Sequence, residues 1–479
     1  NSQQQLSQRP SLCGRSKSRR GGTLTPVTSL RPTAETLATN EGSRPRRTEL
    51  GLLVLVDILI AALYALASLG AKGHLPPRLI FFLAFIMGLS LATHVAVRRL
   101  APLSTPLLLP LASLLNGIGY VEIARWNPAR ATNQALWSTL ASVGFVAVLY
   151  FVKRSRDLDR YRYITLLTAV VLMVLPLIPH VGLSLNGARL WIGVGSYTFQ
   201  PIEISKILLA IFFASYFASN KELLSKSTRV IGGRSFVDPR ILFPIVVTWG
   251  IALMVLGLEN DLGFAMLLFA LFLSLLWVTT GRLGYVFTGV GLLVVGGFVA
   301  SKLFYQVHQR ISIWLDPWNA HSYAHGGQQL LQGWFSLSAG GITGTGVGLG
   351  QSGRWVSEIT SDMIFTAVGE ELGLFGIALV LSAILLIIAQ GFRIAQQSHN
   401  DFSRLVATGL ACIIGFQAFF ICAGVLRILP LTGITLPFVA YGGSSLLANY
   451  GILALLLRIS DESSRQVGGG FVRQSLDQL

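Results

Sequence analysis

Long apolar runs separated by short polar breaks extend from about residue 50 to about residue 460. Each run is close to the roughly 20 residues that an α-helix needs to cross a bilayer core of about 30 Å. A membrane β-barrel would instead show segments of about ten residues that alternate between apolar and polar side chains. The pattern therefore predicts an all-α, polytopic helical membrane protein. We place about twelve spans, at residues 50–70, 78–97, 102–123, 135–153, 162–180, 202–219, 241–257, 262–280, 283–304, 362–390, 404–425 and 438–458.

The rest of the chain falls into four parts. Residues 1–48 are polar and basic without an apolar pattern, so we expect a disordered tail rather than a signal peptide. Residues 49–100 hold two spans with few polar residues besides Asp57 and His94, and they look like an added two-helix anchor. Residues 101–460 form the main membrane domain, and residues 461–479 form a C-terminal tail.

Composition agrees with a membrane protein. Only 12% of the residues are charged, against about 25% in a soluble domain, and the mean hydropathy is +0.62. A net charge of +16 would suggest nucleic acid in a soluble protein. Here the basic residues fall in particular loops, so we interpret them as topology signals and contacts with anionic membrane lipid, with no nucleic-acid partner. The three cysteines form neither a disulfide framework nor a metal-ligand spacing.

The basic loops orient the bundle. The N-terminal tail and the connections at residues 153–162 and 221–240 are rich in Lys and Arg, and all three fall on one side. The positive-inside rule makes that side cytoplasmic, with both termini there. The break before Leu262 and the long, glycine-rich connection at about residues 305–361 then face the extracytoplasmic side.

A pair of carboxylates, Glu259 and Asp261, lies at the junction of two apolar runs. Acids at a membrane boundary are costly and are taken as functional by default, although a turn that merely tolerates acids is the alternative. Pro201 suits the first turn of a helix, which places Glu203 and Lys206 on one face, either as a packing ion pair or as part of a site. The planar fork of Arg189 suits phosphate oxygens, and we expect Arg189, Lys206 and Asp261 to converge on one cavity for an anionic head group.

Three later stretches add candidates. The connection at 305–361 contains a glycine series that is neither a P-loop nor a dinucleotide fingerprint, and a plain surface loop is the alternative. Asp362 opens a span, where an acid also favours a helix N-terminus without any further role. Two prolines and several glycines at residues 430–445 interrupt the approach to the last span, and such backbone is tolerated where it is buried in protein or lines a cavity. These stretches contribute the polar candidates Arg310, Gln329, Gln332, Glu358, Asp362, Ser444 and Ser445.

Taken together, these stretches resemble the SEDS family of RodA/FtsW-type peptidoglycan glycosyltransferases, with a leaning to RodA. The match covers about residues 100–460, or ten of the spans. It rests on Asn-Gly-Ala-Arg at 186–189, Gln-Pro-x-Glu at 200–203 with Lys206, Asp-Leu-Gly at 261–263, Gly-Glu-Glu-Leu-Gly at 369–373 and Tyr-Gly-Gly-Ser-Ser at 441–445. The chain departs from the family pattern at Glu259-Asn260, Ile202, Ser357–Met363 and Ala440.

The resemblance implies polymerisation of lipid II into glycan strands, for cell elongation and shape or for division, with a class B penicillin-binding protein as transpeptidase partner. Asp261 would be the general base for the acceptor sugar's 4-hydroxyl, which displaces undecaprenyl pyrophosphate with inversion. Cations, with Arg189, Lys206 and Arg310 as candidates, or a divalent metal such as Mg²⁺ or Mn²⁺ would stabilise the pyrophosphate charge. The substrate contacts implied are Arg189, Trp191, Gln200, Glu203, Lys206, Arg310, Gln329, Gln332, Glu358, Asp362, Ser444 and Ser445.

Two other functions remain open at this point. A flippase or transporter for lipid II would use the same cavity without covalent chemistry, but it needs a hydrophilic route through the bundle. A scaffold that only recruits a transpeptidase would not need Asp261. A purified glycan-polymerisation assay separates these functions from a polymerase.

Overall fold

Helices make up most of the chain in the computed structural model, which describes residues 34–76, 79–185, 188–195, 197–225, 229–231, 234–236, 250, 254, 257 and 261–476. The chain divides into two compact units, Asn1–Glu41 and Gly42–Leu479. The described residues of the first unit, 34–41, are helical.

Sixteen helices lie in the described residues. They are α1 (Ala34–Lys72), α2 (Leu79–Leu100), α3 (Leu108–Trp126), α4 (Pro128–Phe151), α5 (Asp157–Arg160), α6 (Arg162–Val174), α7 (Ile202–Ser219), α8 (Lys221–Ser225), α9 (Leu262–Thr280), α10 (Leu283–Leu303), α11 (Tyr305–Leu315), α12 (Ala320–Ser322), α13 (Gln328–Gly340), α14 (Ile364–Gln397), α15 (Asp401–Val425) and α16 (Gly443–Leu476). Short 3₁₀ or π turns lie at Leu175–Leu177, Tyr323–Gly327 and Ser352–Arg354.

The prediction of an all-α, polytopic membrane protein is confirmed. Among the described residues, nine helices are long and apolar enough to cross a membrane. The span predicted at 102–123 is helix α3, which carries two charged residues, Glu122 and Arg125, near its end. The one predicted at 162–180 is a shorter apolar run, Arg162–Leu177. The one predicted at 241–257 lies mostly outside the described residues.

Several helix ends differ from the predicted ones. The tail predicted at 1–48 lies outside the described residues up to residue 33, and residues 34–48 belong to helix α1. A stable apolar helix propagates into the turns next to it at little cost. Helix α4 starts at Pro128 rather than 135, because Asn127 accepts a hydrogen bond from the Arg130 backbone N–H and proline fits the first turn.

Two small antiparallel sheets, which the hydropathy pattern did not predict, join the helices. The first has the order β1 (Gly182–Leu185), β2 (Ala188–Val194) and β3 (Tyr197–Phe199), and the second pairs β4 (Arg229–Ile231) with β5 (Arg234–Phe236). The first sheet leads directly into α7. The connection at 305–361, expected to be a glycine-rich loop, contains helices α11 to α13.

Large apolar side chains fill the centre of the bundle. Phe213 of α7 meets Phe272 of α9 with ring centroids 5.7 Å apart, and Phe145 of α4 meets Tyr450 of α16 at 6.3 Å. Helix α10 differs from these helices, because Gly289 is its only buried residue. This packing brings the first turns of α4, α7, α9 and α16 to one end of the bundle.

Helices α1 and α2 form an N-terminal hairpin that packs on α3. The ring of Phe82 lies between two tyrosine rings. Its centroid is 4.2 Å from that of Tyr64, which is tilted against it, and 5.0 Å from that of Tyr120, which is stacked on it. Asp57 of α1 accepts a hydrogen bond from the Ser90 hydroxyl of α2 at 3.0 Å. Asp57 therefore joins the two helices to each other.

Candidate active site

A polar cavity of about 590 Å³ opens at the end of the bundle where these four helices begin. Its wall combines the first turns of α4 and α16, the segment before α14 and the interrupted stretch that precedes α16. The lining side chains that carry charge are Arg130, Asp261, Arg310, Glu358 and Asp362. Polar and aromatic lining residues include Asn133, Trp137, Trp191, Thr198, Gln200, Ser361, Thr432, Thr435, Tyr441, Ser444 and Ser445.

Asp261 stands at the N-terminus of α9 and points into this cavity. Its carboxylate accepts the Phe264 backbone N–H at 3.0 Å, so it caps the helix. A side chain on Gly263 would place its Cβ 2.8 Å from the Thr432 carbonyl oxygen, so glycine allows the stretch before α16 to pass close by. Burial raises the pKa of Asp261 to about 6, although the Phe264 N–H and the charge of Arg310 lower it.

Arg310 of α11 connects the charged groups of the cavity. Its Nη1 donates a hydrogen bond of 2.6 Å to the Thr432 carbonyl oxygen. A Cβ on Gly433, whose φ is 74°, would lie 3.7 Å from Arg310 Nη2 and 3.9 Å from Asp362 Oδ2. The guanidinium and the Asp362 carboxylate therefore approach the same point, and the charge of Arg310 lowers the pKa of both Asp261 and Asp362.

A second charged group faces Arg310 across the cavity. Arg130 of α4 donates to Glu358 Oε2 at 3.0 Å and to Thr360 Oγ1 at 2.7 Å. Burial raises the pKa of Glu358, but the hydrogen bonds from Arg130 and the Ser361 hydroxyl outweigh it, and the pKa lies below its usual value. Burial and the nearby Glu358 charge raise the pKa of Asp362 to about 6. The site thus holds two carboxyl groups with raised pKa values, those of Asp261 and Asp362, beside the guanidinium groups of Arg130 and Arg310.

The interrupted stretch before α16 lines the cavity, as the sequence predicts. Ser444 Oγ accepts the Gln200 backbone N–H at 2.8 Å, which ties α16 to the segment before α7. Thr435 Oγ1 donates to Ser445 Oγ at 2.8 Å within the same wall. These hydrogen bonds orient the side chains of both serines.

An apolar groove of about 270 Å³ runs between α9 and α10 and meets the polar cavity. Its wall is formed mainly by Met266, Phe269, Leu292, Leu293 and Phe304. Asp261 and Arg310 belong to both the groove and the cavity. One continuous site therefore joins an apolar groove to a polar cavity, with a carboxylate and a cation at the junction.

The structure brings most of the predicted site residues together and leaves five of them outside the cavity wall. The residues outside are Arg189, Glu203, Lys206, Gln329 and Gln332. The cavity wall therefore contains Asp261 but neither Arg189 nor Lys206. A substrate contact at the five residues remains a prediction from the sequence alone.

Each of the five has a different position. Arg189 is solvent-exposed on β2, where its charge stays hydrated, while Trp191 on the same strand reaches the cavity. Gln329 and Gln332 lie partly buried on α13. Glu203 and Lys206 are fully buried in the first turns of α7, where Lys206 Nζ donates to Glu203 Oε2 and lies 5.6 Å from the Phe264 ring centroid.

The Glu203–Lys206 pair predicts a stability effect. Lys206→Met is expected to destabilise the protein by about 3–5 kcal/mol, because it leaves the Glu203 carboxylate buried without its partner. The double variant Glu203→Gln/Lys206→Met should recover much of this loss. Thermal unfolding in detergent measures both. An unchanged Tm for Lys206→Met together with a raised KM for substrate would instead make Lys206 a binding residue.

Several cavity residues were not predicted, above all Arg130, Asn133, Trp137 and Tyr441. A signal for the first three exists in Asn127-Pro128, a helix start that extends the span at 135–153 towards its N-terminus. Tyr441 lies in the motif Tyr-Gly-Gly-Ser-Ser at 441–445, from which the sequence analysis predicts only the two serines as site residues. Its ring centroid is 5.4 Å from the Arg130 guanidinium.

The described residues contain no group of three or more His, Cys, Asp or Glu side chains that would hold a metal ion. Arg310 approaches Asp362 from one side, and Arg130 pairs with Glu358. The divalent ion implied by the resemblance stays a prediction.

Residues 118–465 match the family described as cell cycle proteins of the FtsW, RodA and SpoVE type. The chain is 37% identical over 426 residues to the peptidoglycan glycosyltransferase RodA of Mycobacterium leprae, covering 87% of this chain and 90% of that protein. It is 31% identical over 292 residues to the probable peptidoglycan glycosyltransferase FtsW of Geobacter sp. strain M18, covering 60% of this chain and 76% of that protein.

A similar solved structure comes from work on a peptidoglycan synthase complex and its structural coordination of polymerization and crosslinking. The TM-score is 0.60 at 26% identity, covering 74% of this chain and 96% of that chain. All residues that line the polar cavity fall within the segment matched by the family.

Proposed function

The chain belongs to the FtsW, RodA and SpoVE family of cell cycle proteins, and from this premise we propose how it acts. It is a peptidoglycan glycosyltransferase of the RodA type that polymerises lipid II into glycan strands. The higher identity and wider coverage with the relative named RodA, compared with the one named FtsW, support that assignment.

One observation carries the proposal: the apolar groove and the polar cavity share Asp261 and Arg310. A lipid-linked sugar has the same order of parts, with a polyprenyl tail, a pyrophosphate and then the sugars. The tail fits the groove between α9 and α10, since apolar area is buried there. The pyrophosphate then meets Arg310, whose planar fork suits phosphate oxygens, and the sugars occupy the polar cavity.

In this arrangement Asp261 is the general base. Its ionised carboxylate takes the proton from the 4-hydroxyl of the acceptor sugar, and that oxygen attacks the anomeric carbon of the donor. The bond from this carbon to the pyrophosphate breaks with inversion, and undecaprenyl pyrophosphate leaves. General-base assistance of this kind contributes about 10²–10⁴ in rate. Arg310, with Arg130 further into the cavity, stabilises the charge that develops on the leaving group.

The pKa values predict an acid limb in the rate. Because Asp261 must be ionised and burial raises its pKa to about 6, kcat is expected to rise with pH through about 6 and to level off above about 7. The pKa of Asp362 is raised to about 6 as well, so its ionisation steepens the limb if it also has to be charged. Initial rates of lipid II polymerisation across the pH range measure this. A midpoint near the ordinary Asp value, or a rate that falls as pH rises through about 6, would contradict the assignment of Asp261 as base.

We place the cavity on the extracytoplasmic side and both termini in the cytoplasm. Exposed Lys153, Arg154, Arg156 and Arg160 follow α4 at the end of the bundle opposite the cavity, which supports this orientation. We also propose a class B penicillin-binding protein as partner transpeptidase. The similar structure from a complex that coordinates polymerization and crosslinking supports such a partner.

The test is polymerisation of lipid II by the purified protein, with and without a co-expressed transpeptidase. Glycan strands that require this protein support the proposal. Translocation of lipid II across vesicles without any glycan product would make the protein a flippase. Addition of a chelator to the same assay tests the divalent cation, which stays a prediction from the resemblance.

A further inference from the structure

The N-terminal hairpin touches the segment that follows α13 through direct backbone contact. A Cβ on Gly70 of α1 would lie 2.3 Å from the Val347 carbonyl oxygen, and a Cβ on Gly348 would lie 2.3 Å from the Ala67 carbonyl oxygen. Gly348 has a φ of 81°, which glycine adopts without strain. The Val347 side chain packs into the same apolar cluster as the hairpin. Neither α1 nor the segment at residues 347–348 can gain a methyl group at this contact without displacing the other segment.

Two buried carboxylates of α14 accept hydrogen bonds from backbone N–H groups of the same segment, residues 344–356. Glu371 accepts the Gly348 N–H at 2.6 Å, and Glu370 accepts the Gln351 and Ser352 N–H groups at 2.8 Å and 2.9 Å. Arg125 at the end of α3 donates to the Gly348 carbonyl oxygen at 2.8 Å. These charge-assisted hydrogen bonds are strong ones, so a displacement of Gly348 is passed to the residues after it.

Those residues lead directly into the active site. Val356 and Ile359 are buried in a small core with Met363, and Glu358 between them has a φ of 54°, a conformation that costs a non-glycine residue energy. Such a conformation persists only when the surrounding structure holds it. Glu358 is also the partner of Arg130 in the cavity wall. The position of Glu358 therefore depends on where residues 344–356 are held.

We propose that the N-terminal hairpin positions the cavity side chains Glu358 and Asp362, by seating residues 344–356 through the contact of Gly70 with Val347 and Gly348. The hairpin lies before residues 118–465, the segment matched by the family, so the support acts on the active site from outside that segment. The inference rests on the proposed glycosyltransferase activity for its kinetic consequence, but the contact itself is independent of that activity.

The test adds one methyl group to the hairpin. Gly70→Ala is expected to raise the KM for lipid II by about 2- to 30-fold, the usual range for substitutions that act on a distant site. Gly51→Ala is the matched control, because it lies on the same helix with open space around its Cβ. Alanine favours the helix at both positions. A merely structural loss of active protein lowers the apparent kcat and leaves KM unchanged.

Hydrogen exchange supplies a readout that needs no activity. The amides of Gly348, Gln351 and Ser352 should exchange at least about 10-fold faster in Gly70→Ala and at the parental rate in Gly51→Ala. If Gly70→Ala does not fold, Val347→Ala weakens the same contact without adding volume and should shift KM and exchange in the same direction. Parental KM and parental exchange in the folded variant overturn the proposal. If Gly70→Ala exchanges faster and neither the parent nor the variant polymerises lipid II, the contact is retained and the glycosyltransferase function is rejected instead.

Discussion

Asp261→Asn is expected to abolish glycan polymerisation while the protein remains folded. The amide has no basic oxygen to accept the acceptor sugar's proton, so the rate should fall by about 10²–10⁴. Asparagine is as good a helix N-cap as aspartate, so the hydrogen bond from the Phe264 N–H can be kept. Polymerisation of lipid II by equal amounts of folded variant and parent measures the loss.

The raised pKa of Asp261 also gives the sign of the stability effect. The folded protein holds this proton more tightly than an unfolded chain, since the pKa rises from 3.8 to about 6. Ionisation between these values therefore costs stability, and the cost persists at neutral pH. Asparagine cannot ionise, so the variant's Tm at neutral pH should equal or exceed that of the parent.

Asp157→Asn is the matched control for this prediction. Asp157 is an exposed carboxylate in α5, at the end of the bundle opposite the cavity. Its loss should leave polymerisation unchanged. Near-parental polymerisation by Asp261→Asn, with the control equally active, would show that the carboxylate is not the base.

The sequence indicated Asp261 because an acid at the start of a long apolar run is costly in a membrane protein. The structure adds that Asp261 caps α9 and that burial and Arg310 act on its pKa. Glu203 and Lys206 were equally local, since a spacing of three residues places them on one face. Their burial was not local, because it depends on how α7 packs among other helices.

Arg130 shows what local patterns cannot supply. It pairs with Glu358, which lies far away along the chain, so no periodicity links the two. Arg189 shows the reverse case. It belongs to a motif that the resemblance marks, yet it lies on a short strand that hydropathy did not predict, and its side chain is exposed there. Helices could be predicted from the chain, whereas the cavity wall depends on loops folded over helix ends.

Arg310→Gln is the second variant for which we expect a large effect. Arg310 is the cation shared by the groove and the cavity, and removal of one such group at a developing charge costs about 10²–10³ in kcat. The pKa values give an independent consequence. Since the charge of Arg310 lowers the pKa of Asp261 and of Asp362, the acid limb of the rate should move to higher pH.

Arg310→Lys separates charge from geometry. Lysine keeps the positive charge, so the acid limb should return towards about 6, but it lacks the planar fork that contacts both the Thr432 carbonyl oxygen and a phosphate. Recovery of kcat should therefore be partial. Arg354→Gln, which removes an exposed arginine outside the cavity lining, should leave both kcat and the acid limb at parental values. If Arg310→Gln keeps the parental kcat and acid limb, the leaving group is stabilised elsewhere and the order of tail, pyrophosphate and sugars along this site is wrong.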